Sequence, residues 1–259
     1  MKFFYDHYTE DQVGAFTWQH FLIMGIFVIA MVVAVYFSRK LNEKQTSKVL
    51  LSIAILVTVM EVIKITIRII KGSGLDGFFP LYFCSLFIYS IWLTFCKNDF
   101  LKTMGFSFII FGGIIGSIIN TVYPTTSLMM YPAWHPSTLH SFFYHWLMLY
   151  TAILVIMKKL YQPKAKHFLH FFVLMTVASI IAFIINITCG SNMMFIGNPY
   201  GLPAFVKSIY EVSPYLFAFL SYFVQTFLLY WACFGIYKLV EYIILRVKTK
   251  NENKKNELA

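Results

Sequence analysis

Three histidines and one cysteine are the groups in this sequence best suited to chemistry in an apolar environment. His135, His140 and His145 lie within the stretch 134–145, WHPSTLHSFFYH. A neutral imidazole can act as a general base or a ligand, and polar groups at membrane depth usually line an interior site. Cys84 stands in a further apolar run, within the segment 81–86, LYFCSL.

A set of charged side chains lies on one face of the second apolar run. Glu61, Lys64 and Arg68 are spaced i, i+3 and i+7, which places them on one side of an α-helix. Each would cost roughly 2.5–3.5 kcal/mol at the bilayer centre if it faced lipid. We therefore expect them to face the bundle interior, where Glu61 can pair with Lys64. The alternative is a structural ion pair that only fixes helix packing.

The composition requires these groups to sit in a membrane protein. Of the 259 residues, 59% are hydrophobic and 12% are charged, whereas about a quarter of a soluble domain is charged. The formal net charge is +10, but Lys and Arg form short clusters between apolar runs. Such clusters are typical of cytoplasmic loops and argue against nucleic-acid binding. The four cysteines have no spacing typical of a disulfide framework or a zinc finger.

The apolar runs predict an all-α membrane protein, a seven-helix transmembrane bundle in one domain. Basic clusters follow the first, third, fifth and seventh runs, so we expect the N-terminus outside and the C-terminus in the cytoplasm. Residues 1–17 are then extracytoplasmic, 18–240 form the membrane domain, and 241–259 form a basic cytoplasmic tail whose end is predicted to be disordered. The predicted spans are 18–37, 49–70, 79–96, 101–123, 137–157, 168–189 and 213–239.

With this orientation, polar groups from several helices fall at matched depths in the outer half. At about 1.5 Å per residue, Glu61 lies about 14 Å below the outer end of its helix and Cys84 about 6 Å inside the boundary. Ser137 is expected to cap the fifth helix, which places His140 in the first turn and His145 more than a turn deeper. The residues predicted to converge on one site are Glu61, Lys64, Arg68, Cys84, His135, His140, His145, Asn186 and Asn192.

The two deeper histidines are not placed to share one ligand as an i, i+4 pair would. Five residues at about 100° each leave His140 and His145 about 140° apart around the helix axis. We therefore expect His140 to face Cys84 and His145 to face the charged side of the second span.

The order of these motifs resembles the YwaF-type bacterial integral membrane proteins. The matching segments are 135–140, HPSTLH, and 190–195, GSNMMF. The segment 79–86, FPLYFCSL, is similar to that family's Leu-His-Leu-Cys-Ser-Leu pattern, with Tyr82 where a histidine is expected. The resemblance covers about residues 15–240.

That family is distantly similar to an animal seven-span phospholipid acyltransferase in which a membrane cysteine is the proposed acyl carrier. The resemblance implies Cys84 as nucleophile and His140 as its general base, with membrane phospholipid as partner and no coenzyme A or other cofactor. It further implies a place in the cell membrane. Lys64 or Arg68 would hold the lipid phosphate, and Asn192 would stabilise an oxyanion.

Three other functions fit the same residues. Glu61, Lys64 and the histidines could form the substrate site or proton relay of a transporter, although the sequence shows no inverted repeat. Cys84, His140, His145 and Glu61 could bind a metal, although their spacing matches no known ligand signature. Finally, the polar network could serve only to fix packing in a non-catalytic membrane partner.

Overall fold

The computed structural model describes residues 13–70, 78–200, 202 and 204–257, and within these ranges its regular elements are all helical. Most of the expected N-terminal segment 1–17 lies outside them. The α-helices are α1 (Trp18–Ser38), α2 (Glu43–Ile70), α3 (Leu86–Leu93), α4 (Asp99–Phe108), α5 (Ile114–Val122), α6 (Pro136–Met157), α7 (Phe168–Cys189), α8 (Ala204–Val212), α9 (Pro214–Phe223) and α10 (Leu229–Glu257). One π-helical segment, Ile109–Gly113, joins α4 to α5, and a second, Val224–Leu228, joins α9 to α10.

Six helical segments in the described ranges are long and apolar enough to cross a membrane. They are Trp18–Ser38, Glu43–Ile70, Asp99–Val122, Pro136–Met157, Ala165–Cys189 and Pro214–Val247. The chain is therefore an all-helical, multi-pass membrane protein, as its composition predicted.

The predicted third span, residues 79–96, contains only a short helix. Eight residues form α3, and they rise about 12 Å, less than half of the roughly 30 Å hydrocarbon core. Irregular chain and turns occupy 79–85. Pro80 disfavours helical geometry only in Phe79, the residue before it, so it limits a helix to residues from 80 onwards.

A tight hairpin fixes α3 against α4. Asn98 begins α4 by accepting hydrogen bonds from the amides of Phe100 at 2.9 Å and Leu101 at 3.2 Å. Farther along, a Cβ atom at Gly105 would overlap the Ser90 carbonyl oxygen, so only glycine permits this approach of the two backbones. The contact sets how far α3 reaches into the bundle.

The structure also differs from the prediction at the start of the second helix, before the last span and in the C-terminal tail. The second helix begins at Glu43 rather than 49, because Asn42 and Gln45 exchange side-chain to backbone hydrogen bonds, each 2.9 Å long. The helix α8 lies in a segment expected to be a loop. The prediction of a disordered end to the tail is wrong up to Glu257, because α10 continues through it in a Lys-rich and Glu-rich sequence without Gly or Pro.

Candidate functional site

Cys84 lies in the turn that leads into α3 and is held from α6. The Tyr144 hydroxyl donates to the Cys84 carbonyl oxygen at 3.2 Å, and the Phe87 amide donates to the same oxygen at 3.0 Å. The thiol is free and the residue is half-buried. Tyr144 thus fixes the turn that carries the thiol against the helix that carries the histidines.

His140 reaches this turn through the same tyrosine. Its ring stacks on Tyr144 with centroids 6.0 Å apart and an interplanar angle of 13°. Within the described ranges, the buried Nε2 atom of His140 has no hydrogen-bond partner. The contacts join His140 to Cys84 through Tyr144, so a direct approach of the imidazole to the thiol stays a prediction.

The charged face of α2 forms the wall opposite α6. Lys64 Nζ lies 2.5 Å from Glu61 Oε1, so the predicted pair is present. The Glu61 side chain is 7% exposed and that of Lys64 is 30% exposed. Both charges lie within electrostatic range of Cys84, and those of Lys64 and Arg68 lie within range of His140. The charged face of α2 is therefore turned towards both Cys84 and His140, with Glu61 nearer to the thiol and Arg68 nearer to the imidazole.

His145 lies one helical turn deeper than Ser141. Its Nδ1 atom is 2.7 Å from the Ser141 carbonyl oxygen, and the residue is buried. The charge of Lys64 lies within electrostatic range of both His145 and His140. The two histidines thus share Lys64 as a neighbour instead of facing wholly separate walls.

His135 starts α6. Its Nδ1 atom accepts the Ser137 amide at 3.1 Å, and its ring stacks on Tyr131 at 4.5 Å. The prediction that Ser137 caps the helix is wrong, because Pro136 takes the first helical position and the cap must precede it. His135 therefore fixes the start of the helix that carries His140.

Asn186 and Asn192 organise the loop that follows α7. Asn186 accepts from Ser191 Oγ and from the Met193 amide, each at 2.7 Å, and donates to the Met193 carbonyl at 3.0 Å. Asn192 accepts the amides of Gly197 and Asn198 at 3.0 Å and donates to Asn198. Both amides are engaged within the loop itself.

That loop nevertheless borders the segment that carries the thiol. The ring of Phe195 lies 6.4 Å from that of Tyr82, two residues before Cys84. Phe195 and Met194 both have positive φ, 52° and 56°, a strained conformation for residues with a side chain. Asn186 and Asn192 can therefore act on the site through the shape of this loop.

Two residues of the site were missed in the sequence. Tyr144 is one of several aromatic residues in α6, so its residue type alone does not mark it as part of a site. Asn120, on α5, is 8% exposed and accepts a hydrogen bond from Ser141 Oγ at 3.3 Å. Asn120 has the only amide side chain in α5, and this could have marked it in the sequence, because a polar amide at membrane depth needs a partner.

The arrangement does not favour a metal. In the part of the chain that the structure describes, no three His, Cys, Asp or Glu side chains are placed to hold a metal ion. The Glu61 carboxylate pairs with Lys64, so it is not free to bind a metal together with the histidines. The geometry instead brings a thiol, an imidazole and an ion pair into one region of the bundle.

Comparison with known protein families gives a match over most of the chain. The model of the TMEM164 family matches residues 15–237, which include every residue of the candidate site. Comparisons with curated proteins and with solved structures find no significant match.

Proposed function

The chain belongs to the TMEM164 family, and we propose that the site around Cys84 transfers acyl groups between membrane phospholipids without coenzyme A. One observation carries the proposal. A free thiol is held inside a multi-pass membrane bundle near a largely buried ion pair and an imidazole, one nitrogen of which has no partner among the described residues. The likeness of the motifs to the YwaF-type proteins supports the same activity.

We place seven crossings in the cell membrane, with the N-terminus outside. Six of these crossings are the long helical segments, and the third crossing in chain order consists of α3 and the turn before it. Trp92 of α3 donates to Thr58 of α2 at 2.9 Å, so α3 lies along α2 and returns the chain before α4 leads it outward. The basic clusters then fall on the cytoplasmic side, with residues 1–17 outside and 241–259 inside.

The reaction runs in two halves through a thioester. The Cys84 thiol gives its proton to His140, and the thiolate attacks the ester carbonyl carbon of a phospholipid. A C–S bond forms, the ester C–O bond breaks, and the departing lysophospholipid oxygen takes the proton from His140.

The second half reverses these steps with another acceptor. The hydroxyl of a second lysophospholipid gives its proton to His140 and attacks the thioester carbon. The new ester C–O bond forms, the C–S bond breaks, and the thiolate recovers a proton from His140. No group is oxidised or reduced, so the cycle needs no further co-reactant.

The remaining predicted residues bind and position the lipid. Lys64 and Arg68 hold the lipid phosphate, and an arginine can do so with two parallel hydrogen bonds. Glu61 orients Lys64, and His145 borders the same charge. His135 holds the start of α6, while Asn186 and Asn192 act through their loop.

The test is acyl exchange by purified protein supplied with labelled phospholipid and lysophospholipid. We expect exchange and a hydroxylamine-sensitive acyl group on the wild-type protein, and loss of both in Cys84→Ser and Cys84→Ala. Cys233→Ser is the matched control, since Cys233 is also a free, half-buried cysteine in a membrane helix. Exchange that survives Cys84→Ala intact would rule out the covalent mechanism, and no exchange in the wild type would favour a transporter.

A further inference from the structure

Asn120 carries a hydrogen-bond donor that the described structure does not use. The residue is 8% exposed, and within the described ranges its buried Nδ2 atom has no hydrogen-bond partner. Buried polar groups in native proteins are nearly always paired, so an exception calls for a ligand, a water or a catalytic role.

Asn120 lies on the face of α5 that packs against the turn carrying the thiol. A Cβ atom on Gly116, one turn below on the same face of α5, would lie 3.4 Å from the Phe83 ring and 3.5 Å from Met148. Phe83 directly precedes Cys84 in the chain. Asn120 is four residues after Gly116, and four residues rise about 6 Å along a helix. Asn120 therefore lies about 6 Å farther along α5 than the point where α5 contacts Phe83.

The neighbouring helix fixes the direction of the amide. Ser141 Oγ donates to Asn120 Oδ1 at 3.3 Å, which leaves the two Nδ2 hydrogens for another acceptor. Ser141 lies next to His140 and one turn before His145, whose Nδ1 atom is 2.7 Å from the Ser141 carbonyl oxygen. The oriented amide is thus part of the same wall as the two histidines.

Asn186 shows what a purely structural asparagine looks like in this protein. It is also 8% exposed, yet both ends of its amide are hydrogen-bonded to the loop after α7. Residue type and burial are therefore matched between the two positions, and only the use of the amide differs.

We propose that the Asn120 Nδ2 group binds the carbonyl oxygen of the lipid acyl ester and holds the negative charge that develops there when Cys84 attacks. The proposal rests on the proposed acyl transfer and assigns to Asn120 the role that the sequence suggested for Asn192. Asn192 has its amide engaged in its own loop, whereas Asn120 has a free donor. A positioned amide N–H is a strong stabiliser of a developing oxyanion.

The first experiment tests ligand recognition without any reaction. Thermal stabilisation of purified protein is measured with a diacyl phospholipid and with its dialkyl ether analogue, which has the same headgroup but no carbonyl oxygen. We expect the wild type to be stabilised more by the ester lipid. Asn120→Leu and Asn120→Asp both remove the N–H donors and should remove this preference. Equal stabilisation in the wild type, or a preference that persists in both variants, would overturn the proposal.

The second experiment compares the two asparagines without added lipid. Asn120→Leu removes an unused donor but also the acceptor of the Ser141 hydroxyl, so it should lower the melting temperature by no more than about 2–4 °C. Asn186→Leu breaks three hydrogen bonds and should lower it more. A fall with Asn120→Leu as large as that with Asn186→Leu would mean that the Asn120 amide is already paired, and would contradict the proposal.

The third experiment measures acyl exchange. Asn120→Leu should lower kcat by about 100-fold or more with little change in KM, because the interaction strengthens in the transition state. An unchanged kcat would exclude an oxyanion role for Asn120. If the wild type shows no exchange but still prefers the ester lipid through Asn120, acyl transfer fails as the function while the binding role stands.

Discussion

Two polar clusters built around a tyrosine lie in different parts of this bundle. In the outer cluster, Tyr144 bonds the Cys84 carbonyl and stacks on His140, whose Nε2 atom is buried and unpaired within the described ranges. In the second cluster, the Tyr161 hydroxyl lies 2.7 Å from Ser107 Oγ and 2.8 Å from His167 Nδ1. Both tyrosine hydroxyls are bonded within the protein, and each cluster borders a buried histidine nitrogen that has no partner among the described residues: His140 Nε2 in the first, and beside the second Nδ1 of His170, whose ring lies 5.6 Å from that of His167. The clusters differ because the first also holds a free thiol and an ion pair, and the proposed function therefore assigns the lipid to it.

The largest loss of stability should come from breaking the ion pair of the outer cluster. Glu61→Gln leaves the partly buried Lys64 charge without its partner, and we expect a cost of about 2 kcal/mol in the free energy of unfolding. Denaturation of the purified protein in detergent would measure it. The double variant Glu61→Gln, Lys64→Gln should recover part of the loss, because no charge is then left alone. A double variant less stable than the single one would argue against this electrostatic cause.

Removing the hydroxyl of Tyr144 should have a smaller effect on stability and a clear one on the thiol. Tyr144→Phe keeps the ring stack and loses one hydrogen bond, so we expect a cost of about 1 kcal/mol. The turn that carries Cys84 loses its hydrogen bond to α6, so the rate at which a small maleimide alkylates the Cys84 thiol should change several-fold. The alkylation assay would use protein with the other three cysteines replaced by serine.

Tyr150→Phe is the matched control for that experiment. Tyr150 is also buried on α6, and its hydroxyl bonds Ser38 Oγ at 2.5 Å, away from the thiol. It should lose similar stability without changing the alkylation of Cys84. Equal alkylation rates in the two variants would show that Tyr144 does not position the thiol.

The smallest effect should appear in the second cluster at high pH. Burial raises the pKa of Tyr161 to about 12, although the hydrogen bond with Ser107 lowers it in part. An unfolded tyrosine titrates near pH 10, so the unfolded state releases its proton first. The stabilising contribution is complete below about pH 10 and is lost as the pH rises toward 12. Between pH 8 and 11, the melting temperature of the wild type should fall more steeply than that of Tyr161→Phe, and parallel curves would contradict this reading.

The long helices were predictable because their ends carry local signals. Pro136 starts α6, and Gly190 ends α7 in a left-handed conformation with φ of 65°. The Glu61–Lys64 pair also followed from spacing alone, since both residues lie on one helix. In each case the decisive interaction is close in sequence.

The parts that the sequence did not reveal depend on contacts between distant segments. Hydropathy does not distinguish a full span from an apolar entry followed by a short helix, so α3 was predicted too long. Tyr144 and Cys84 are 60 residues apart, and Asn120 and Ser141 are 21 apart. Their roles became visible only when the packing of α3 and α5 on α6 was known.

The shortness of α3 has a consequence for water. Non-helical backbone at membrane depth is tolerated only where protein buries it or where it borders a hydrated cavity. Residues 79–85 are non-helical and include Cys84, and under the proposed topology they lie at membrane depth. Under the proposed mechanism, an inlet that admits a polar headgroup there also admits water to the thioester. Slow release of free fatty acid is therefore the side reaction that this architecture permits, and its rate would report how tightly the entry closes during a turnover.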